Sequence, residues 1–296
     1  MNEERRGTAF GLAAYTMWGL FPLFFPLLKP ATAVEVLAHR VVWSLLVVLI
    51  LLRVTRGLAA VRAVDRTQVR RLSLAAVLLA GNWGVYIYGV NSGQVVETSL
   101  GYFINPLVSV ALGVVVLGER LRPLQKAAVA AAGIAVLVLS VANGRPPLIA
   151  LTLAFSFGFY GLLKKQANVG ALASLAVETA VLVPVAVAYL VVLGVTGDLT
   201  FLSEGPDHAL LLASAGVVTA VPLLAFGAAA TRVPLATLGV LQYLAPTLQL
   251  LVGVVVQDES FGGVRQVGFG LVWLALAVFS YDLLSHRRRL EVAPIG

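Results

Sequence analysis

The sequence predicts an all-α integral membrane protein, with ten transmembrane helices arranged as two inverted five-helix repeats. Three observations carry this expectation. Of 296 residues, 59% are hydrophobic and 12% charged, and the mean hydropathy is +0.94. Soluble domains hold about 45–50% apolar and about 25% charged residues, so a water-soluble core cannot hide this much apolar surface. The apolar residues fall in runs near the length of about 20 that crosses a bilayer as a helix. Finally, the second half repeats landmarks of the first.

The runs lie at 8–28, 34–52, 72–90, 98–117, 124–142, 147–163, 171–194, 208–230, 234–256 and 264–284. The opening run is long and has no clear small-residue cleavage site, so it reads as a retained span. Basic residues test the count. With the N-terminus cytoplasmic, 17 Lys and Arg fall on the inner side, among them Arg5, Arg6, Arg62, Arg70, Arg71, Lys164, Arg232 and Arg287. Lys29, Arg145 and Arg265 fall outside, and Arg40 within the second span completes the 21. This bias predicts both termini in the cytoplasm.

Residues 102–140 align with 242–280 without a gap at a shift of 140, keeping Pro106/Pro246, Gly113/Gly253 and Glu119/Glu259 in register. "AYTMWGLFPLF" resembles "LAFSFGFYGLL" at a shift near 139. The chain divides into halves 1–145 and 146–296. Five spans each is odd, so the second half enters the membrane from the opposite side, as in many secondary transporters.

Within the repeat, Tyr102, Asn105, Ser109 and Gly113 share a face of the fourth span, and Gln242, Ala245, Gln249 and Gly253 share the matching face of the ninth. Lipid penalises such a stripe, so it faces the protein interior or water. Pro106 and Pro246 each remove a helical N–H. They mark expected helix breaks, lining either a substrate cavity or a packing kink between helices. Asn82 and Tyr86 in the third span, Trp18 in the first, Tyr160 in the sixth and Tyr243 in the ninth extend the polar and aromatic candidates for a substrate cavity. Trp43 and Trp83 fit an interfacial belt equally well.

Charges inside spans form a separate group. Glu35, His39 and Arg40 occupy the second span, and Glu178 lies at a related depth in the seventh. Glu35 and His39 are spaced to pair. Arg40 either ties to Glu178 or snorkels to the outer surface. Glu178 is the candidate proton carrier, with protons the candidate coupling ion. Glu119 and Glu259, at span ends, read as caps or salt-bridge partners.

The chain has no Cys, which excludes disulfides and thiolate chemistry, and no Walker A loop or HExxH motif. Its three His are far apart, so no metal, cofactor or reactive cluster is expected. A membrane-embedded enzyme is thereby disfavoured, and a non-transporting scaffold or sensor is the alternative to a transporter. No nucleic-acid role is expected, since the basic excess follows topology.

The blocks "AYTMWGLFPLFF", "LAHRVVWS", "GNWGVYIYGVNSG", "SLGYFINPLVSVALGVVVLGERL", "SFGFYGLLKK", "VETAVLVP" and "LGVLQYLAPTLQLLVGV" resemble the RarD group of EamA-type transporters, in the drug/metabolite transporter superfamily. That resemblance runs from about 8 to 285. It implies a multi-pass protein of the bacterial inner membrane, with two EamA repeats and a cavity formed mainly by spans one, three, four, six, eight and nine. It implies export of small metabolites or drug-like solutes by alternating access, in a monomer or homodimer. Members are commonly labelled chloramphenicol-sensitive or chloramphenicol-resistance permeases. The matching positions are Trp18, His39, Arg40, Asn82, Trp83, Tyr86, Tyr102, Asn105, Glu178, Gln242 and Tyr243. Asp258 departs from the usual pattern before Glu259.

Overall fold

The computed structural model describes residues 3–117, 121–144, 146–230, 232–233 and 241–292. Within them lie ten helices of eight or more residues: α1 Glu3–Gly19, α2 Ala33–Val54, α3 Arg66–Asn91, α4 Val95–Leu117, α5 Pro123–Asn143, α6 Leu148–Ala167, α7 Ala171–Thr196, α8 Pro206–Ala230, α9 Leu244–Leu251 and α10 Val264–Val292. Seven are long and apolar enough to cross a membrane, and α1 with its bent continuation to Leu28 makes an eighth. Apolar segments Leu148–Lys164 and Leu244–Val256 are shorter. The first part of the expected ninth span, 234–240, and Glu119 lie outside the described residues.

Local chemistry sets the helix ends. Thr32 caps α2 by accepting from the Glu35 amide, and Asp65 with Gln68 forms a reciprocal capping box on α3. Pro123 opens α5, where its missing N–H costs nothing. Gly144 and Gly197 close α5 and α7 in the left-handed conformation.

Side chains such as Val115, Leu137, Val141 and Val195 are exposed on the outside of the bundle, as lipid-facing residues must be. Inside, Phe103, Leu107, Leu139 and Phe269 knit α4, α5 and α10 together. A second cluster with Phe25, Val36, Ile87, Leu153 and Leu212 joins the α1 continuation to α2, α3, α6 and α8. The most extensive helix pairs are α4–α6, α3–α6, α5–α10, α2–α8, α2–α7, α1–α8, α1–α9, α4–α9 and α3–α7. Exchanging each of α1–α5 with its counterpart in α6–α10 maps this set onto itself. Close approach depends on missing side chains: a Cβ on Gly101 would sit 2.8 Å from the Ala150 carbonyl oxygen, and one on Gly216 2.4 Å from the Trp43 Cβ.

The expected helix breaks are elsewhere. α4 runs through Pro106 without interruption, and Pro246 sits in the first turn of α9, where the lost N–H has no helical acceptor. The irregular segments are instead the bend of 40° after Gly19, the 3₁₀ turn Phe25–Leu28 and the π turn Val252–Val256. Pro22 and Pro26 explain the first two. Each leaves the carbonyl four residues earlier without its helical donor, at Trp18 and Pro22. Gln249 Nε2 donates to the Trp18 carbonyl at 3.2 Å and Gln257 Nε2 to the Pro22 carbonyl at 3.3 Å. The glutamines around α9 thus supply donors for a proline-interrupted span, as irregular backbone at membrane depth requires.

Candidate functional site

Two polar junctions lie inside the bundle. At the first, α3 brings Asn82, fully buried, against α6. Its Nδ2 donates to the Leu153 carbonyl at 3.0 Å and to Ser156 Oγ at 2.9 Å. Tyr102 on α4 donates its hydroxyl to Asn82 Oδ1 at 3.1 Å. The Tyr86 ring stacks edge-on to Tyr102 at 5.5 Å, and Tyr102 meets Phe157 at 6.3 Å. At the second junction Trp18 on α1 packs against Tyr15 and Phe226, and its carbonyl receives Gln249 from α9. Tyr243 interacts with the Ser280 and Gln242 side chains just before α9.

Several buried polar atoms at these junctions have no hydrogen-bond partner among the described residues: Tyr86 hydroxyl, Asn105 Oδ1 and Gln249 Oε1. Each such group costs about 1–3 kcal/mol if left dry. Ser109, on the same stripe, is exposed beside Gly158 of α6. The structure therefore brings Asn82, Tyr86 and Tyr102 together, places Trp18 with Gln249, and leaves Ser109 at the edge.

The charged residues pair differently from the expectation. Glu178 is 1% exposed and does not use Arg40. It accepts from Lys164 Nζ at 2.6 Å, Ser174 Oγ at 2.7 Å and Tyr160 hydroxyl at 3.3 Å. Lys164 also donates to Ser174. The sixth span continues past residue 163 to Ala167, so Lys164 lies within the helix and its side chain meets the carboxylate. Glu35 does not pair with His39. It accepts from the Thr200 amide and hydroxyl, both at 2.9 Å, while the His39 ring stacks on Phe201 at 4.8 Å.

Arg40, 3% exposed, donates through Nε to Thr219 Oγ1 on α8 at 3.0 Å. Its guanidinium carbon lies 4.3 Å from the centre of the Trp83 ring, with Phe25 and Phe21 at 5.3 and 5.8 Å. An unpaired Arg at membrane depth costs roughly 2.5–3.5 kcal/mol on insertion scales. A desolvated stack on Trp returns about 2 of that. A crevice between α2, α3, α7 and α8 is lined by Ser44, Trp83, Glu178 and Thr219 among others. Arg40's two partners and Glu178 thus border the same space.

Thr219 and Lys164 were not singled out by the sequence as parts of these sites, and Trp83 entered only through the family resemblance. Trp83 reads as an interfacial aromatic, and Lys164 at a span end reads as a topology marker. Tyr160 and Lys164, spaced at i and i+4 on one helix face, were the available signal. Among the described residues, no group of three or more His, Asp or Glu is placed to hold a metal.

Residues 5–141 match the EamA-like transporter family. Over 291 residues the chain is 55% identical to protein RarD of Streptomyces exfoliatus, covering 97% of this chain and 92% of that one. It is 42% identical over 291 residues to protein RarD of Escherichia coli K12, with 97% and 98% covered. A crystal structure at 19% identity superposes with a TM-score of 0.59 over 92% of this chain and 96% of the other, a likeness of fold alone.

Proposed function

The chain belongs to the RarD group of EamA-type transporters of the drug/metabolite transporter superfamily, and from that premise we propose that it is a secondary active exporter of small metabolites or drug-like solutes working by alternating access. It is a multi-pass inner-membrane protein whose partners are the bilayer and a small-molecule substrate. In our reading the residues 1–145 and 146–296 form two inverted five-helix repeats. The exchange-symmetric helix packing supports this arrangement. Both termini lie in the cytoplasm.

The observation that carries the transport reading is the set of buried atoms without partners among the described residues: Tyr86 hydroxyl, Asn105 Oδ1 and Gln249 Oε1. A purely structural bundle pairs its buried polar groups. A pathway leaves them for solute or water. Glu178, held by Lys164 and Tyr160, is the proton-carrying group in this proposal, and a proton gradient is the driving force.

Everted vesicles test it. An imposed pH gradient is followed by a fluorescent amine while solutes are added, chloramphenicol first because of the label carried by the group. A transported solute collapses the gradient only in vesicles containing the protein. Asn105→Leu and Gln242→Leu lower this response more than they lower the folded protein recovered by gel filtration. Equal losses mean that these residues only pack. Glu178→Gln loses the response to the gradient and keeps part of solute exchange; an unchanged response removes Glu178 as the carrier. Orientation is tested by labelling, since the native chain has no Cys. A cysteine at Ser203 reacts from outside the cell and one at Arg62 does not, and the reverse pattern overturns the topology.

A further inference from the structure

We propose that Arg40 is an anion-binding residue of the substrate site, and that the solute is a small organic carboxylate with an apolar body. The inference rests on the transporter reading and narrows its substrate class. It begins with charge. Arg40 is almost fully buried, yet among the described residues no carboxylate lies within ion-pair distance. The two acids that the sequence places nearest in depth are engaged elsewhere: Glu35 by Thr200 and Glu178 by Lys164. Thr219 is a neutral partner and satisfies one N–H.

Hydrogen-bonding capacity points the same way. Among the described residues Arg40 Nη1 is buried without an acceptor and the Tyr86 hydroxyl without a partner, and the Tyr86 ring packs against the same Phe25 ring that lies 5.3 Å from the guanidinium. A guanidinium nitrogen can only donate, and a phenol donates readily. The site therefore holds an unused guanidinium N–H and an unpaired phenol, and among the described residues no anionic acceptor faces them. A carboxylate supplies planar paired acceptors, and its charge matches the guanidinium.

The surroundings define the rest of the ligand. Trp83, Phe25 and Phe21 enclose the guanidinium, and the Phe25 ring packs edge-on to Tyr86 at 5.8 Å. A strongly hydrated polyanion could not replace its water among these rings. A monocarboxylate with an aromatic or aliphatic body could, and so could a zwitterion whose amine remains near Asn82 and Tyr102. Trp83 stacking and Thr219 hold Arg40 in place. The crevice lined by Trp83, Thr219 and Glu178 places this site next to the proposed proton carrier.

The test uses the purified full chain in detergent at constant ionic strength. Its thermal midpoint is measured with acetate, benzoate and phenylacetate, and with benzamide and phenylacetamide as uncharged counterparts. Benzoate and phenylacetate raise the midpoint, the amides do not, and acetate is weaker for want of an apolar body. Arg40→Gln weakens the benzoate response by about tenfold or more in apparent affinity, as expected for a charge-assisted contact. Arg40→Lys keeps part of it. Should Arg40→Gln fail to fold, Tyr86→Phe removes only a hydroxyl and still weakens binding of the acids several-fold. Equal responses to acids and amides, no response to any acid, or full acid binding in the folded variants overturns the inference. If neutral solutes collapse the vesicle pH gradient and no acid binds, transport stands and the anion site fails. If acids bind through Arg40 and no solute, acid or neutral, collapses the gradient, the site stands and the transport reading fails.

Discussion

The two ends of the bundle are fastened by opposite chemistry. At the end that carries the N-terminus of α1, cations do the tying. Arg122 pairs with Asp282 at 2.5 Å, Lys164 with Glu178 at 2.6 Å and Arg232 with Glu3 at 3.1 Å. Arg71 and Gln68 donate to the carbonyls of Gln166 and Ala167 at the C-terminus of α6. At the opposite end carboxylates accept from backbone amides. Glu259 takes the amides of Val95 and Val96 at the start of α4, Glu97 takes the amide of Ile149 in α6, and Glu35 takes that of Thr200. The difference teaches that fastening follows the helix ends available. Arg71 and Gln68 reach the free carbonyls where α6 finishes, and Glu259 and Glu97 reach the free amides where α4 and α6 start. Insertion rules that gather basic residues on one side enforce the same division.

The largest effect that would break or sharpen this contrast comes from the buried ion pair. Lys164→Met strands Glu178 with only Ser174 and Tyr160 and lowers unfolding stability by about 2–4 kcal/mol, less than a fully buried pair because Lys164 is partly exposed. The double variant Lys164→Met/Glu178→Gln recovers most of that loss in thermal unfolding. A double variant no better than the single one shows that the charge pair is not the cause. Removing an amide-accepting cap at the opposite end costs less. Glu259→Ala loses about 0.5–2 kcal/mol, the range for a lost helix cap, and the comparison fails if it exceeds Lys164→Met.

A pH effect is the smallest. Burial outweighs the two amide bonds and nearby Arg265, holding the Glu259 carboxyl above the usual carboxylate range. A carboxyl raised on folding binds more protons in the folded chain than in the unfolded one, so its contribution falls as pH rises through that window. Wild type should therefore gain stability relative to Glu259→Gln as the pH is lowered through the upper carboxylate range. A thermal difference between the two that moves the other way would show that the amide bonds dominate.

Much of this architecture could be read from composition. The apolar runs anticipate each helix in turn, and the capping role of Glu259 follows from its place after a span. Other features depend on which helices meet. Arg40 and Thr219 are 179 positions apart, and nothing local announces that α2 packs on α8. Trp83 lies under Arg40 for the same reason. Lys164 misleads because a lysine at a span end serves insertion and ion pairing alike. The prolines mislead in another way: Pro106 sits within a helix that continues unbroken past it, while Pro22 and Pro26 act where glutamines from the α9 region donate to the freed carbonyls. Spacing identifies a possible break, and only tertiary contacts decide whether the helix takes it.

The central claim is that solute crosses by alternate opening of these two ends. The most direct measurement locks the carboxylate-fastened end with a disulfide between cysteines at Val96 and Glu259, whose backbone amide and carboxylate meet at 3.0 Å in the native chain. Solute-driven collapse of the pH gradient is then followed in vesicles before oxidation, after it and after reduction. The account predicts that full cross-linking stops the collapse and that reductant restores it. Undiminished transport through the fully cross-linked protein would contradict it.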